Sequence, residues 1–498
     1  MRPRAFRPLL AAAFLASAPA AWAQALTPPA SSLSSLGKST QVASPGFPEL
    51  GPIANGHDVT ISDVVRLALV ANRAIAHARA SYLTSRGQVQ EAYAALFPTI
   101  GSAVEELRLN QAISNKFLTV TQPSTPTEPI GAVFESQRIQ QRIYSIGGSI
   151  PIDISGELRA VVSQTKYERL ATQLDLSRVV NDQVAAVKSA FYDVLRAQAL
   201  QKVAENDLAV AQLTLKDAQS RYAAQVVTKF DVLRAQTDEQ AAEQVLIAAK
   251  NRVEQLYAVL DNVIGIRGDI RLHAIESGAV TEPSATDAPA GYAAGSPVAE
   301  QYIDTALKQR PEVLEADADV RAAQEGLRIA VRSEMPTLSL GYSYNYNPDA
   351  GGSNPVYHQW VASALFSVPL FDSGLARARA EEAKGQIQNS LAGKRDAQDQ
   401  VTLDVQQALI SVSDAEQRVK VANVSLTNAQ AAYDLANFRY QQGVSSHAGI
   451  SPLLEVSDAA AALSLAESNQ VNALYDYNNA ESLLSRALGD YTKNANSK

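Results

Sequence analysis

Cysteine is absent from this sequence of 498 residues. Without a thiol, the chain can form no disulfide, no thiolate metal site and no cysteine nucleophile, and it offers no cysteine for an N-terminal lipid anchor. The five histidines, at positions 57, 77, 273, 358 and 447, show no metal-ligand spacing. A phosphate-binding loop and a nucleophile elbow are also missing from the sequence. We therefore expect no enzymatic activity, no bound metal and no cofactor.

Charge is scarce as well. Charged residues make up 19% of the chain, the net charge is −8, and no basic run follows the N-terminal residues, which argues against nucleic-acid binding. No later segment has the ~20 continuous apolar residues of a transmembrane helix. The start does resemble a secretory signal peptide, predicted to span residues 1–23, with cleavage after Ala23. An uncleaved anchor is the alternative, but the apolar run is short for spanning a bilayer.

Glycine and proline are missing from Glu157 to Ile264. Ala, Leu, Gln, Asp and Arg dominate this stretch, and all of them are compatible with a long helix. Thr228 and Asp231 have the spacing of a capping box, a helix-start signal inside helical sequence. We therefore predict two antiparallel arms with a turn near residues 223–228. The first arm, from 157 to about 222, would be ~99 Å long at 1.5 Å per residue, and the second about half that length.

Pairs of identical residues indicate an internal duplication. Ala68-Leu69 and Pro98-Thr99 recur 238 residues later, whereas Pro151, Gly156 and Arg221-Tyr222 recur 218 residues later. A constant offset that changes at one loop is typical of repeats. Each repeat then reads as helix, strand, loop, strand, long helix and shorter helix, the first helix running from about Asp58 towards Leu96. We predict these segments: leader 24–57, first repeat 58–265, irregular connector 266–297, second repeat 298–489 and C-terminal tail 490–498.

The predicted strands alternate between apolar and small or polar residues. In the second repeat the apolar face carries large aromatic side chains, namely Tyr342, Tyr344, Tyr346, Trp360 and Phe366. Such alternation is typical of a lipid-facing barrel with a wet lumen, and aromatic residues favour the membrane interface. The edge of a soluble sandwich is the alternative. Because four strands cannot close a membrane barrel, a barrel would have to be shared between copies of the chain.

The long helices carry charges along their whole length, so they do not belong in lipid. Their apolar positions, many of them Ala, suit close helix packing in water. Both a solid coiled-coil rod and a hollow tube agree with this pattern.

In combination, these features resemble the TolC-type outer-membrane factors, the exit ducts of efflux pumps and type I secretion systems, in their non-lipidated branch. The resemblance covers about residues 58–489. It rests on the order, spacing and duplication of short motifs: Val59-Thr60-Ile61 with Ala68-Leu69 and Asn72, Leu96-Phe97-Pro98, Asp231-Val232-Leu233-x-Ala235, Val368-Pro369-Leu370-Phe371-Asp372-Ser373-Gly374, and Arg439-Tyr440 with Gly443. The resemblance implies a mainly α fold with a membrane β-barrel. In a homotrimer, four strands per protomer would build a shared 12-stranded barrel in outer-membrane lipid, and the helices a periplasmic tunnel.

The family resemblance also assigns roles to the two helical tips. It implies that a periplasmic adaptor docks there, around Arg221, Tyr222 and Gln225 in the first tip and Arg439 and Gly443 in the second. Gln225 stands where the family favours glycine, which leaves the shape of that turn open.

A gate latch is implied at Asp231 and Tyr440. The basic partner that the family places two residues after Gly443 is Ser445 here, so the latch would be weaker or built differently. The capping box with Thr228 explains Asp231 equally well without a gate.

Glu455 matches one of two acidic positions that ring the pore mouth in the family. Three copies of this carboxylate around a narrow pore would attract cations. The alternative is a simple helix start, with Ser451 as N-cap, Pro452 as first residue and Glu455 as an acid favoured by the helix dipole. The chain also has about three extra residues around His447, whose role the sequence does not reveal.

The sequence therefore predicts a passive duct at the outer membrane, with a large periplasmic portion. Its implied partners are a periplasmic adaptor and an inner-membrane transporter of the RND or ABC type. The alternative from another class is a periplasmic coiled-coil scaffold or adaptor without a barrel. The strands at 337–370 discriminate between them, because a scaffold has no use for aromatic residues on one face of a sheet. The cargo cannot be identified from the sequence.

Overall fold

The computed structural model describes residues 57–108, 119–120, 132–133, 140–266, 272–274, 280–283, 296–350, 356–442 and 452–489. The predicted signal peptide, the C-terminal tail and nearly all of the predicted leader lie outside these ranges. The described helices are α1 (Ile61–Ala71), α2 (Arg73–Ala94), α3 (Glu157–Ala223), α4 (Lys229–Ile264), α5 (Pro297–Gln309), α6 (Pro311–Arg332), α7 (Leu375–Gln442) and α8 (Pro452–Leu488). The described strands are β1 (His57–Val59), β2 (Thr99–Arg108), β3 (Thr119–Val120), β4 (Ala132–Val133), β5 (Gln140–Ile152), β6 (Leu272–Ala274), β7 (Thr337–Tyr346) and β8 (His358–Ser367).

The long helices dominate the described chain. α3 has 67 residues and α7 has 68, about 100 Å each at 1.5 Å per residue. The helix α3 ends at Ala223 and α4 starts at Lys229, so the predicted split of the glycine-free stretch is confirmed. The return helices α4 and α8 have 36 and 37 residues, about half the length of the long arms.

Each long helix starts at a glycine and an aspartate. Gly156, with φ 71°, precedes α3, and Gly374, with φ 84°, precedes α7. The carboxylate of Asp153 accepts from the backbone nitrogens of Leu158 and Arg159 at 3.2 and 3.1 Å. Asp372 similarly accepts from the nitrogens of Gly374 and Ala376. Both carboxylates satisfy amides that have no partner inside the helix, and both benefit from the helix dipole.

The sequence predicted one continuous helix from about Asp58 to Leu96, and this prediction is wrong. Asn72 is extended, with ψ 129°, and separates α1 from α2. Its side chain accepts from the nitrogens of Ala74 and Ile75 and so caps the second helix. The second half has the same break at Arg310, with ψ 130°, because Pro311 disfavours helical geometry in the residue before it.

Most of the largest fully buried side chains among the described residues lie around the middle of the long helices. α3 packs against α2, α4, α6 and α8, whereas α7 packs against α5, α6 and α8. Phe191, Val187 and Val194 of α3 are fully buried against Leu260 and Ile264 of α4. A second cluster joins Val401, Val405 and Leu409 of α7 to the ends of α5 and α8. These clusters place the core near the breaks at Asn72 and Arg310.

Four strands form one antiparallel sheet in the order β2-β5-β7-β8. The strand β5 joins the two halves of the chain by pairing with β2 on one side and β7 on the other. Among the described strands, β2 and β8 each have a single neighbour and therefore form the edges of this sheet. A short parallel pair, β1 with β6, lies against the α4 end of the body. Within the described ranges, no helix is long and apolar enough to cross a membrane.

Candidate functional site

The first tip is a tight turn between α3 and α4. The nitrogen of Val226 donates to the oxygen of Arg221, and the nitrogen of Gln225 donates to the oxygen of Tyr222, both at 2.9 Å. This is a Schellman motif, in which the residue after the C-cap adopts a left-handed conformation. Gln225 takes that place with φ 59°. The turn therefore has the shape that glycine normally provides, although the residue is glutamine.

The start of α4 confirms the predicted capping box. The Asp231 carboxylate accepts from the backbone nitrogen of Thr228 at 2.9 Å and from its hydroxyl at 2.8 Å. The Asp231 nitrogen in turn donates to the Thr228 hydroxyl at 3.4 Å. Asp231 is 6% exposed. Its carboxylate thus fastens the first tip to its own helix, as the structural alternative predicted.

Apolar residues from four helices join the two tips. Ala218 of α3, Ala235 of α4, Tyr440 of α7 and Leu453 and Val456 of α8 are buried together. Small residues at 218 and 235 let the helices approach closely around the larger side chains. The two hairpins of one chain are therefore in direct contact at their tips.

Arg221 links these hairpins. Its guanidinium lies 4.2 Å from the centroid of the Tyr440 ring, and its Nη1 donates to the Tyr440 backbone oxygen at 3.2 Å. Its Nε donates to the Asp217 carboxylate one turn earlier, at 2.9 Å. Tyr440 therefore has a basic neighbour on the first tip. The sequence assigned Arg221 only to adaptor docking, and the repeated Arg-Tyr pair was the signal for this contact.

Tyr440 is 6% exposed. Burial first, and then the neighbouring Asp217 carboxylate, raise the pKa of Tyr440 to about 12. Its hydroxyl makes no hydrogen bond of good geometry to any described residue. The ring therefore remains neutral at physiological pH and serves as a packing and stacking surface between the hairpins.

Above the tips, further polar contacts fasten α8 to the first hairpin, and no sequence motif predicts them. Ser457 donates to Asp238 of α4 at 3.1 Å, and Ser464 donates to Asp207 of α3 at 2.5 Å. Burial raises the pKa of Asp207, against the opposing effect of the Ser464 hydrogen bond. These contacts lie between hairpins that are far apart in sequence, so no local motif marks them.

The remaining predicted tip residues fall into three groups. Glu455 lies in the first turn of α8, which begins at Pro452, in agreement with the helix-start alternative. Gly443, Ser445, His447 and Ser451 lie outside the described residues. Tyr222 is 45% exposed, and Arg439 is half-buried on the last turn of α7. The structure does not bring Tyr222 and Arg439 together within one chain.

The strand register places the predicted aromatic residues on one face of the sheet. Tyr344 pairs with Trp360, Leu338 with Phe366, and Tyr346 with both Tyr144 and His358. Trp360 and Phe366 are 69% and 60% exposed. The opposite face carries mostly small residues in the middle of the sheet, among them Gly101, Gly147, Ser343 and Ser363. The sheet thus has one face that suits lipid and one that leaves open space.

No three His, Asp or Glu side chains within the described ranges are placed to hold a metal ion. The chemistry of the tips is that of contact and fastening: a stacked cation, a capped carboxylate and buried apolar residues. These contacts are non-covalent. They can hold two helical hairpins together, and they can break when the hairpins separate.

The family model, the related sequences and the similar structures that match this chain all describe outer-membrane proteins. The sequence model of a family described as "Outer membrane efflux protein" matches residues 64–266 and 302–490. The pyoverdine export outer membrane protein OpmQ of Pseudomonas aeruginosa is 23% identical over 356 residues, covering 69% of this chain and 71% of the relative. The toluene efflux pump outer membrane protein TtgC of Pseudomonas putida is 23% identical over 406 residues, covering 78% and 76%.

Solved structures show the same fold. The outer membrane protein VceC of Vibrio cholerae superimposes with a TM-score of 0.66 at 18% identity, covering 86% of this chain and 96% of that one. CusC, whose structures describe transmembrane channel formation, gives a TM-score of 0.69 at 17% identity, with coverages of 89% and 95%.

Proposed function

This chain belongs to the family of outer membrane efflux proteins, and on that premise we propose that it is the trimeric exit duct of a multi-component export system. The family places it at the outer membrane, with its helices in the periplasm. Its relatives are channel proteins and not enzymes. The observation that carries the proposal is the join between a four-stranded sheet and helices of 67 and 68 residues.

The sheet supports a barrel shared among three copies. Lipid requires every backbone polar group to be bonded within the protein, so an open edge is not tolerated there. Pairing β8 of one copy with β2 of the next would close both edges. Three copies of four strands then give 12 strands, which is within the range of membrane barrels. Tyr342, Tyr344, Tyr346, Trp360 and Phe366 would face lipid and its interfaces.

The helices support a tunnel below that barrel. α3 and α7 are amphipathic only weakly, and they bury small residues against several neighbouring helices. Three chains would provide six long helices, each about 100 Å long, which reaches far into the periplasm. We propose that the two halves of the chain arose by duplication, since they repeat the same elements in the same order.

Two kinds of export system use such ducts, efflux pumps and type I secretion systems. The names of the relatives refer to pyoverdine export and toluene efflux, which favours small-molecule efflux. We propose a periplasmic adaptor at the tips, around Arg221, Tyr222, Gln225, Arg439 and Gly443, and beyond it an inner-membrane transporter of the RND or ABC type.

The gate belongs to the same proposal. Asp231 and Tyr440 stabilise the closed contact between the tips, and Glu455 lines the pore mouth. The Arg221–Tyr440 stack supports this assignment, because it joins the first tip to the second. The Asp231 carboxylate contributes by fixing the start of its own helix, α4. Opening the pore then requires the second hairpin to leave the first.

Membrane fractionation followed by conductance measurements tests the function. We expect the protein in the outer-membrane fraction, and we expect the purified protein to form channels in planar lipid bilayers. Recovery in the soluble periplasmic fraction, without conductance, would favour the scaffold without a barrel and overturn the duct. An unrelated outer-membrane porin and a soluble periplasmic protein serve as fractionation controls.

A further inference from the structure

The two long helices end with the same pair of residues. Arg221-Tyr222 lies near the end of α3, and Arg439-Tyr440 lies near the end of α7. Within one chain, Arg221 of the first hairpin stacks on Tyr440 of the second. The reverse contact, between Arg439 and Tyr222, is not made in the single chain. The two copies of the pair could form two Arg–Tyr contacts of this kind, and the single chain forms one of them.

The exposure of the two tyrosines reflects this difference. Tyr440 is 6% exposed beneath Arg221, whereas Tyr222 is 45% exposed. The Arg439 side chain makes no hydrogen bond or ion pair to another described residue. Arg221 is braced by Asp217 one turn earlier, but the corresponding position before Arg439 is Leu435. Nothing on α7 itself therefore holds Arg439 back from a contact with a neighbouring molecule.

This inference rests on the proposed trimer. Three chains with two hairpins each place six hairpins around one axis, first and second in alternation. The step from the first hairpin to the second is seen within one chain. Repeating that step leads from the second hairpin to the first hairpin of the next copy. We propose that Arg439 of each chain stacks on Tyr222 of the partner subunit and so completes a closed ring of six Arg–Tyr contacts at the tips.

The return helices support the same arrangement independently. α4 ends at Ile264 and α8 at Leu488, and each is followed by a glycine with positive φ. Counted back from these ends, Arg234 and Asp458 occupy the same position. They lie 3.8 Å apart within one chain, and the Asp458 side chain is 70% exposed. The first and second hairpins thus face each other at Arg234 and Asp458. In the trimer, the same step from the second hairpin to the first hairpin of the next copy would bring Asp458 against Arg234 of the partner subunit.

The result is a ring of three arginines and three aspartates in alternation, each charge lying between two of opposite sign. Such a ring carries no net charge, and its contacts weaken as salt is added. It differs from a ring of like charges, whose members would repel one another. The contacts between chains would cover Tyr222 and the side chain of Asp458, which are 45% and 70% exposed in the single chain.

The chain contains no cysteine, so only the introduced thiols can react with a thiol-specific cross-linker. The variant R439C/Y222C is purified in detergent and treated with a short bis-methanethiosulfonate cross-linker. We expect covalent dimers and trimers on a denaturing gel. The matched variant R221C/Y440C should cross-link within one chain and stay monomeric in mass, and each single-cysteine variant should give no trimers.

The molecular mass in detergent separates the two levels of the proposal. If the mass is that of a trimer and R439C/Y222C gives only monomers, the Arg–Tyr ring is wrong and the duct stands. A monomeric mass, without conductance, overturns the duct and the ring together. The variant R234C/D458C gives a second reading, because its thiols can react within and between chains and should also yield trimers. Monomers alone from both pairs in a trimeric protein contradict the proposed alternation.

Discussion

Asn72 and Arg310 take the same place in the two halves of the chain. Each is an extended residue that separates two helices, and each lies near the glycine that ends a return helix. Asn72 stabilises this break between helices with a neutral amide. Its oxygen caps α2, and its nitrogen donates to the Val263 oxygen at 2.8 Å and to Gln183 at 2.9 Å. Both polar atoms of this buried side chain are thus bonded, the oxygen to α2 and the nitrogen to α3 and α4.

Arg310 stabilises the equivalent break with a charged side chain. Its guanidinium is 4% exposed, and it donates to Glu312 at 2.6 Å and to Asp404 of α7 at 2.7 Å. The backbone break itself follows from Pro311, so the side chain is free to reach across to another helix. The path of the backbone, and not one particular chemistry, is therefore common to both halves. The second half, however, depends at this point on a buried cation and on the two carboxylates that it pairs.

The largest effect should come from breaking that dependence. Arg310→Ala leaves two carboxylates partly buried without their cation, and we expect a loss of about 3 kcal/mol in the free energy of unfolding. Asn72→Ala removes a helix cap and two further hydrogen bonds, and it should cost about 2 kcal/mol. Thermal unfolding followed by circular dichroism measures both variants. Equal losses would mean that the two junctions are held in the same way after all.

The tips provide the next test, since only one of their Arg–Tyr contacts forms within a chain. Arg221→Ala removes the stack and the hydrogen bond to Tyr440, together worth about 2 kcal/mol. If this contact holds the tips closed, the open state should gain about 30-fold relative to the closed one. Single-channel recordings in planar bilayers measure the open probability.

Arg221→Lys is the control for charge alone. Lysine keeps the cation but not the planar stack, so we expect an intermediate open probability. An unchanged open probability in both variants would show that the Arg221–Tyr440 contact does not restrain the opening of the pore.

Much of this architecture was predictable because it is encoded locally. The glycine-free stretch, the capping box at Thr228 and the alternation along β7 and β8 each reflect neighbours in sequence, and the structure confirms them. The break at Asn72 was missed because asparagine is only a weak helix breaker, and its cap depends on the path of the chain. In the second half the equivalent break precedes Pro311, whereas the residue after Asn72 is Arg73, which carries no such signal.

The contacts of the tips were less predictable. Arg221 and Tyr440 are 219 residues apart, and their contact depends on how two hairpins pack. The same holds for Ser464 with Asp207, where no periodic pattern announces a polar contact between helices. The left-handed Gln225 was also hidden, because glutamine rarely occupies such a turn. Sequence patterns therefore predict elements well and contacts between repeats poorly.

The helices α2 and α6, which lead into the sheet, differ in charge. We therefore expect the stability of the protein to depend on pH through the carboxylates of α6. α6 carries Glu315 and Asp317 where α2 carries His77 and Arg79. Burial first, and then Asp175 and Asp319, raise the pKa of Glu315 from 4.5 to about 7. The folded state therefore holds this proton more tightly than the unfolded state, and stability is lost as pH rises from about 4.5 to 7.

Glu315→Gln should remove this loss. Allowing for solvent screening of a side chain that is not fully buried, we expect the variant to gain about 2 kcal/mol at pH 8 and little at pH 4.5. Asp317 is the control, because its hydrogen bond to Lys394 lowers its pKa. Asp317→Asn should cost stability at pH 8, and this cost should fade in acid. Parallel pH profiles for the two variants would contradict the opposite environments of these carboxylates.

A smaller gain is expected at the first tip. Gln225 has a left-handed backbone, φ 59°, which costs a residue with a Cβ roughly 1 kcal/mol. Gln225→Gly should therefore stabilise the protein by about 1 kcal/mol, measured as an increase in the thermal midpoint. Ala223→Gly, two residues earlier in α3, should have the opposite sign because glycine weakens a helix. If both variants destabilise, the Schellman turn does not form at this tip.

The smallest effect separates two acids at the starts of the return helices. Asp231 is buried in its capping box, whereas Glu455 in the first turn of α8 is half-buried. A carboxylate attracts ions only if its field reaches the pore. Glu455→Gln should therefore lower the cation-to-anion permeability ratio, roughly twofold, in bilayers with a salt gradient. Asp231→Asn should leave that ratio unchanged while lowering the thermal midpoint, because it loses a cap and not a pore charge. Unchanged selectivity in Glu455→Gln would leave that residue with the role of helix start alone, and both acids would then serve the ends of their helices.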